Sequence, residues 1–138
     1  MTPEEKARQK IDQWFTDAGW EVINRDEYDP TSTAVAIREG LLKGNLEADY
    51  FLFINGKAVG VLEAKREETD AFSSKVCEQA ALYARSVPNI YQTYQKPLPF
   101  IFTSNGKELY FCNFREQDHY FKQIMTIPTP HELVKKLG

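Results

Sequence analysis

The stretch from Ala48 to Lys65, ADYFLFINGKAVGVLEAK, constrains this chain more than any other: two runs of strand-forming apolar residues are joined at Asn55-Gly56. Asn-Gly between such runs is the strongest short-range signal for a β-hairpin. YFLFI and GVL are apolar at successive positions, which predicts strands covered on both faces. Yet the hairpin begins at Asp49 and ends with Glu63, Ala64 and Lys65, charges that an apolar layer does not need.

The rest of the chain supplies the cover. Thr2-Pro3-Glu4-Glu5 offers a cap hydroxyl, a proline for the first turn and acids at the positive end of a helix dipole. Ala7, Ile11, Trp14, Phe15 and Ala18 follow at helical spacing, and Gly19 is placed as a left-handed cap. Trp20 to Ile23 and Thr33 to Ile37 read as short strands around a polar loop, with a break at Lys43-Gly44-Asn45. A second helix is expected over Ser73 to Val87, before Pro88, on the spacing of Val76, Ala80, Tyr83 and Ala84. PFIFTS, NGK and ELYFCNF form a second hairpin candidate, and a last helix begins at Pro130. The expected architecture is α/β: a sandwich with a mixed central sheet flanked by helices, in one domain spanning residues 1–138.

Composition narrows the classes of function. Seventeen Lys and Arg against twenty Asp and Glu give a net charge of −3 without charged blocks, so no basic tract announces a nucleic-acid binder. Cys77 and Cys112 have no partners at zinc-like spacing, no signal peptide is legible, and no apolar run approaches the roughly 20 residues of a membrane span. A cytoplasmic protein with reduced thiols, without membrane contact, is the expectation.

With a period of two, Glu63 and Lys65 project to one face of their strand, and the hairpin folds Asp49 back beside them. Two ionised carboxylates about 5 Å apart repel by roughly 3 kcal/mol at an effective dielectric of 20. A cation between them removes that cost, and hard oxygen donors without His or Cys suit Mg²⁺ or Mn²⁺. An ammonium at Lys65 could then offset charge building on a phosphoryl group. The plainer reading is a strand cap at Asp49 and an edge ion pair between Glu63 and Lys65.

The order Asp, hairpin, Glu-Ala-Lys resembles the motif of the PD-(D/E)xK nuclease superfamily. More narrowly, TAVAIREGLLKGNLEADYFLFINGKAVGVLEAKRE and the later EQAALYA resemble the N-terminal nuclease domain of type I restriction enzyme R (motor) subunits, and PFIFTSNGKELYFCNF extends the likeness. The resemblance implies metal binding at Asp49 and Glu63, Lys65 as the catalytic lysine, and a Q-x-x-x-Y element at Gln79 and Tyr83. It also implies Mg²⁺ as cofactor, double-stranded DNA as substrate, and as partners the translocase region of the same subunit and the modification and specificity subunits.

Glu4 shares a helix face with Ala7 and Ile11 and is a candidate additional acid, beside the alternative of a solvated first-turn residue. Arg8 and Arg38 could reach phosphate or be paired, and His119 and His131 have surface positions as their default. There is no G-x-x-x-x-G-K phosphate loop, so ATP is not expected to bind within this chain. The chain reads either as an excised piece of a larger subunit or as a compact stand-alone relative. A nuclease-like fold used for DNA binding or assembly, and a stand-alone repair nuclease, are the competing functions.

One geometric condition decides whether the charges can meet. A regular two-residue turn pairs Ile54 with Lys57 and puts Asp49 and Glu63 on opposite faces. The chemistry therefore requires either a three-residue loop with Gly56 as a bulge residue, setting Asp49 diagonal to Glu63, or another one-residue bulge between them.

Overall fold

The computed structural model describes residues 1–138. Three helices, α1 (Pro3–Asp17), α2 (Ser74–Ala84) and α3 (Pro130–Leu137), flank eight strands. The strands are β1 (Glu21–Asn24), β2 (Ala34–Leu41), β3 (Glu47–Ile54), β4 (Lys57–Ala64), β5 (Gln92–Thr93), β6 (Phe100–Ser104), β7 (Leu109–Asn113) and β8 (Lys122–Ile124). They form one mixed, open sheet in the order β1-β2-β3-β4-β6-β7-β8, with β5 pairing on β4 beside β6. The pairs β1/β2, β4/β5 and β4/β6 are parallel and the others antiparallel.

Apolar clusters cover both faces, as the uninterrupted apolar runs require. On one face Ile11, Phe15 and Trp20 at α1 and Leu133 of α3 pack with Tyr50, Leu52, Leu62, Ala64, Phe100 and Phe102. On the other, Ala80, Tyr83 and Ala84 of α2 pack with Phe51, Phe53, Val61 and Ile101. The alternation of Tyr50 and Leu52 against Phe51 and Phe53 is the period of a strand sorting one sequence onto two layers.

The helix ends follow their sequence signals. Thr2 and Glu5 form a reciprocal capping box. At the other end Gly19 takes φ +92°, so that Trp20 N–H reaches the Phe15 carbonyl and Gly19 N–H that of Thr16. Helix α2 stops at Ala84, short of the expected Val87: the Ala84 carbonyl accepts from Leu98 N–H and that of Ser86 from Lys43 N–H. Arg85 and Ser86 close the end with tighter bonds to the Leu82 and Tyr83 carbonyls, and the tertiary bonds satisfy acceptors that the helix leaves free, that of Ala84 facing Pro88, which has no N–H. Strands β5 and β8, with two and three residues, and the extension of β2 to Leu41 are additions to the expected elements.

The 48–65 hairpin meets its geometric condition by the second route. Ile54 pairs with Lys57 across a two-residue Asn55-Gly56 turn, with φ of 51° and 78°, so the three-residue loop does not form. The register then slips between Phe53↔Ala58 and Leu52↔Gly60, leaving Val59 as the extra residue. Val59 joins the face of Leu52 and Leu62, and beyond the bulge Tyr50 pairs with Leu62. Continuing that register sets Asp49 directly opposite Glu63, rather than diagonal to it, with both on one face. Gly60 is where the bulged strand meets β6: a Cβ there would lie 2.3 Å from the Phe100 carbonyl oxygen. The absence of a side chain lets the two strands pair at the distorted position.

Candidate active site

Strand β3 carries Asp49 near its start and β4 carries Glu63 near its end, so the antiparallel pair brings both carboxylates to one end of the sheet. Glu63 is 2% exposed, and the Asp49 side chain 16%. Backbone amides hold each: Glu63 Oε1 accepts from Asp49 N–H at 3.3 Å, and Asp49 Oδ2 from Ala64 N–H at 2.7 Å. The third N–H in this row, from Lys65, goes to the Ser104 carbonyl at 2.8 Å and ties the end of β4 to β6.

Burial makes this arrangement expensive for two negative charges. Desolvation, followed by the nearby Asp49 charge, pushes the Glu63 carboxyl up to about 8. Asp49 is also raised by desolvation, against the lowering effects of the Ala64 amide, Arg8 and Lys65. Where a proton must substitute for a missing positive charge, a divalent ion can do so more fully. Two buried hard oxygen donors thus fit Mg²⁺ or Mn²⁺ in part, leaving other ligand positions to water or phosphate; no third acid or His joins them as a ready-made cage.

Lys65 does not pair with Glu63: no ion pair within 4.0 Å joins them, which removes the edge salt bridge as an account of these charges. Its Nζ donates to Gln79 Oε1 at 3.0 Å, and Gln79 Nε2 donates to the Tyr83 hydroxyl at 3.0 Å. Helical spacing of four makes this relay possible by stacking Gln79 one turn before Tyr83 on the α2 face that packs on the sheet. Tyr83 is 9% exposed, so its ring serves the core while its hydroxyl orients the amide. Asp49, Glu63, Lys65, Gln79 and Tyr83 therefore converge on one end of the sheet.

Glu4 is exposed and its side chain makes no hydrogen bond, but it lies near enough to Arg8 and Arg66 to act on both electrostatically. Both arginines singled out in the sequence are paired. Arg38 spans Asp12 through Nε and Nη2, at 3.2 and 2.9 Å, and reaches Asn24. Arg8 bonds Asp49 Oδ1 and, at 3.3 Å, Glu39 Oε1. His119 and His131 are exposed.

Sequence reasoning missed three supports. Asp12 and the Arg8 carbonyl receive the Tyr50 hydroxyl, clamping α1 beside Asp49. Asn105 donates to the Glu67 and Thr69 carbonyls and accepts from Lys107 and Glu108 N–H, which fixes the loop leaving Lys65. Thr103 donates to the Ala71 carbonyl at 2.6 Å further along that loop. In the sequence, Asn105-Gly106 signals a turn; only the fold shows that its side chain also serves the segment after β4.

An open mixed sheet with helices on both faces, presenting paired acids and a lysine at adjoining strand ends, has the architecture of the restriction-endonuclease-like α/β class. The chain belongs to the family described as type I restriction enzyme R protein N terminus, whose model matches residues 35–120. A solved fragment assigned to the HsdR subunit of a type I restriction enzyme from Vibrio vulnificus shares the fold, with a TM-score of 0.64 and 23% identity. The match covers 99% of this chain and 25% of that one, so the chain spans about a quarter of that structure's length. No curated protein matches the chain. No helix is long and apolar enough to cross a membrane.

Proposed function

We propose that residues 1–138 form one metal-dependent endodeoxyribonuclease module, the cleavage domain of a type I restriction R subunit acting on double-stranded DNA in the cytoplasm. The observation that carries this reading is the Asp49–Glu63 pair, buried and opposed on neighbouring strands, with Lys65 held beside it by Gln79. A structural role does not call for two buried acids, with the charge of Asp49 adding to the cost of ionising Glu63.

Asp49 and Glu63 would hold Mg²⁺ or Mn²⁺, which when bound supplies Lewis acidity toward a phosphodiester oxygen and acidifies water. The Lys65 ammonium, kept from wandering by Gln79, stands ready to position the attacking water and to offset negative charge on the phosphoryl group. Tyr83 holds the far end of the Gln79 amide, so the lysine's direction is set from the helix core. Asp49 and Glu63 are anchored by backbone amides, which leaves little reorganisation for the reaction to require. ATP-driven movement would come from a translocase region of the same subunit, and site recognition from the modification and specificity subunits; this chain has no phosphate loop of its own.

Titration calorimetry with Mn²⁺ tests the metal assignment. The parent should bind weakly, and Asp49→Ala and Glu63→Ala should each abolish most of the heat; variants that bind as well as the parent would remove these residues as ligands.

A further inference from the structure

In the metal-free fold, Asp49 already has a cation on it. Arg8 Nη2 bonds Asp49 Oδ1, while Nη1 reaches Glu39 Oε1 at 3.3 Å. Glu39 is the residue of β2 opposite Asp49, since Arg38↔Tyr50 and Gly40↔Ala48 flank that position. The guanidinium is not carried there by a loose side chain on a free helix end. The Tyr50 hydroxyl bonds the Arg8 carbonyl at 3.1 Å, and Asp12, one turn further along α1, is held by Tyr50 and Arg38. Tyr50 directly follows Asp49, so the helix is fastened to the strand beside the carboxylate that Arg8 engages.

The third nitrogen of this group is unsatisfied. Arg8 Nε is buried and has no hydrogen-bond partner, so the side chain gives up one donor to keep its Nη atoms on the two acids. A buried donor without an acceptor is a cost that the fold carries here. An arginine engaged only for packing could turn its fork toward water. Its placement instead follows the negative charge of Asp49 and Glu39, which its two Nη atoms engage.

Resting on the nuclease reading above, we propose that Arg8 occupies the cation position on Asp49 in the metal-free protein, and that metal binding displaces it. Arg8 is then a positioning residue of the site: it holds Asp49 Oδ1 in place before metal arrives, and competes with the metal for that oxygen. The competition keeps metal affinity low in the isolated domain and couples metal binding to release of a guanidinium close to where substrate phosphate would lie. No ligand of Asp49 would need to be built anew; one cation replaces another.

The test uses Mn²⁺ calorimetry on the parent, Arg8→Ala and Arg66→Ala. Arg66 is an exposed neighbouring cation paired with Glu68, so its removal changes the local field without vacating Asp49. Arg8→Ala should bind Mn²⁺ roughly tenfold more tightly, about 1.4 kcal/mol, and Arg66→Ala should match the parent. Millimolar methylguanidinium should weaken Mn²⁺ binding to Arg8→Ala and leave the parent unchanged. Equal affinities for the parent and Arg8→Ala, or an equal gain in Arg66→Ala, would overturn displacement while leaving the metal site intact. Failure of parent and variants alike to bind Mn²⁺ would overturn both readings. A second measurement needs no substitution: side-chain NMR of ¹⁵N-arginine-labelled parent should show faster Arg8 Nε–H exchange with water at saturating Mg²⁺, and an unchanged rate overturns the proposal.

Discussion

Glu63 accepts a hydrogen bond from the backbone N–H of Asp49, and Asp49 accepts one from the N–H of Ala64, the residue after Glu63. Each acid is thereby fixed by the other's strand, with its own charge pressed against its neighbour's. The arrangement favours any bound positive charge and penalises the site when none is present.

That penalty has a pH signature. A carboxyl whose folded pKa is raised from 4.5 to about 8 binds more protons in the folded state than in the unfolded chain over that interval. Glu63 therefore subtracts stability as pH rises from about 4.5 to 8, and the loss levels off above that. Each tenfold difference in proton affinity between folded and unfolded chains corresponds to about 1.4 kcal/mol, so even half of the effect would lower the melting temperature by several degrees. Without divalent ions, melting temperatures across this window should fall for the parent and much less for Glu63→Gln. A parent whose melting temperature rises throughout the same window would contradict the burial of this acid. Mn²⁺ affinity should increase over the same interval, because binding displaces the proton.

Lys65 and Gln79 should separate chemistry from metal binding. In the assembled enzyme, Lys65→Ala is expected to lower DNA cleavage by at least about tenfold, the scale of a general acid-base or electrostatic contribution. Gln79→Ala, which leaves the ammonium present but unheld, should cost less than Lys65→Ala, roughly several-fold. Both should bind Mn²⁺ like the parent in calorimetry. Loss of metal binding in either variant would mean that the relay from Lys65 through Gln79 to Tyr83 supports the acids rather than the lysine.

Tyr50→Phe removes the hydroxyl that fastens α1. Asp12 keeps its bonds from Arg38 and the Arg8 carbonyl keeps its helical one, but Asp12 Oδ1 loses the hydroxyl at a part-buried position, so a loss of about 1–3 kcal/mol is expected in urea denaturation. Unchanged stability would mean that water replaces the hydroxyl without cost.

The sequence makes the layers of this fold readable because its signals are local: the Thr2 to Glu5 cap, Gly19, the helical spacing of Ala80, Tyr83 and Ala84, and the Asn55-Gly56 turn each act over a few residues. The candidate site was legible through parity, since Asp49 and Glu63 could share a face only if one extra residue interrupted the hairpin. The sequence did not say where. Val59 differs little from its apolar neighbours, and the bulge is settled by packing against both layers and by the approach of β6 at Gly60. The contacts of Arg8, Asp12 and Asn105 were hidden for another reason. Their partners, Asp49, Tyr50 and the Glu67 carbonyl, lie 38 or more residues away. No periodicity within a helix or a turn encodes such a contact.

The bulge supplies the last prediction. Between Leu52 and Phe53, β3 advances one residue while β4 advances two, and this single mismatch brings Glu63 to the face of Asp49. Gly60 is the second residue of the widened step and pairs with Phe100 of β6. A methyl group there would sit 2.3 Å from the Phe100 carbonyl oxygen and 3.2 Å from the Phe100 Cβ, distances that only backbone movement can relieve. Gly60→Ala should therefore destabilise the protein by about 2–3 kcal/mol or more, as overpacking against backbone does. The strands can relieve the clash by separating or by moving the bulge, and either change alters how Glu63 faces Asp49. Mn²⁺ affinity should fall in the folded fraction along with urea resistance. For comparison, Val61→Ala, one residue on and facing α2, should lower stability by opening a cavity without altering the pairing, and so should keep its metal affinity. If Gly60→Ala proved as stable as the parent and bound Mn²⁺ equally well, the close approach at the bulge would not be what aligns the two acids.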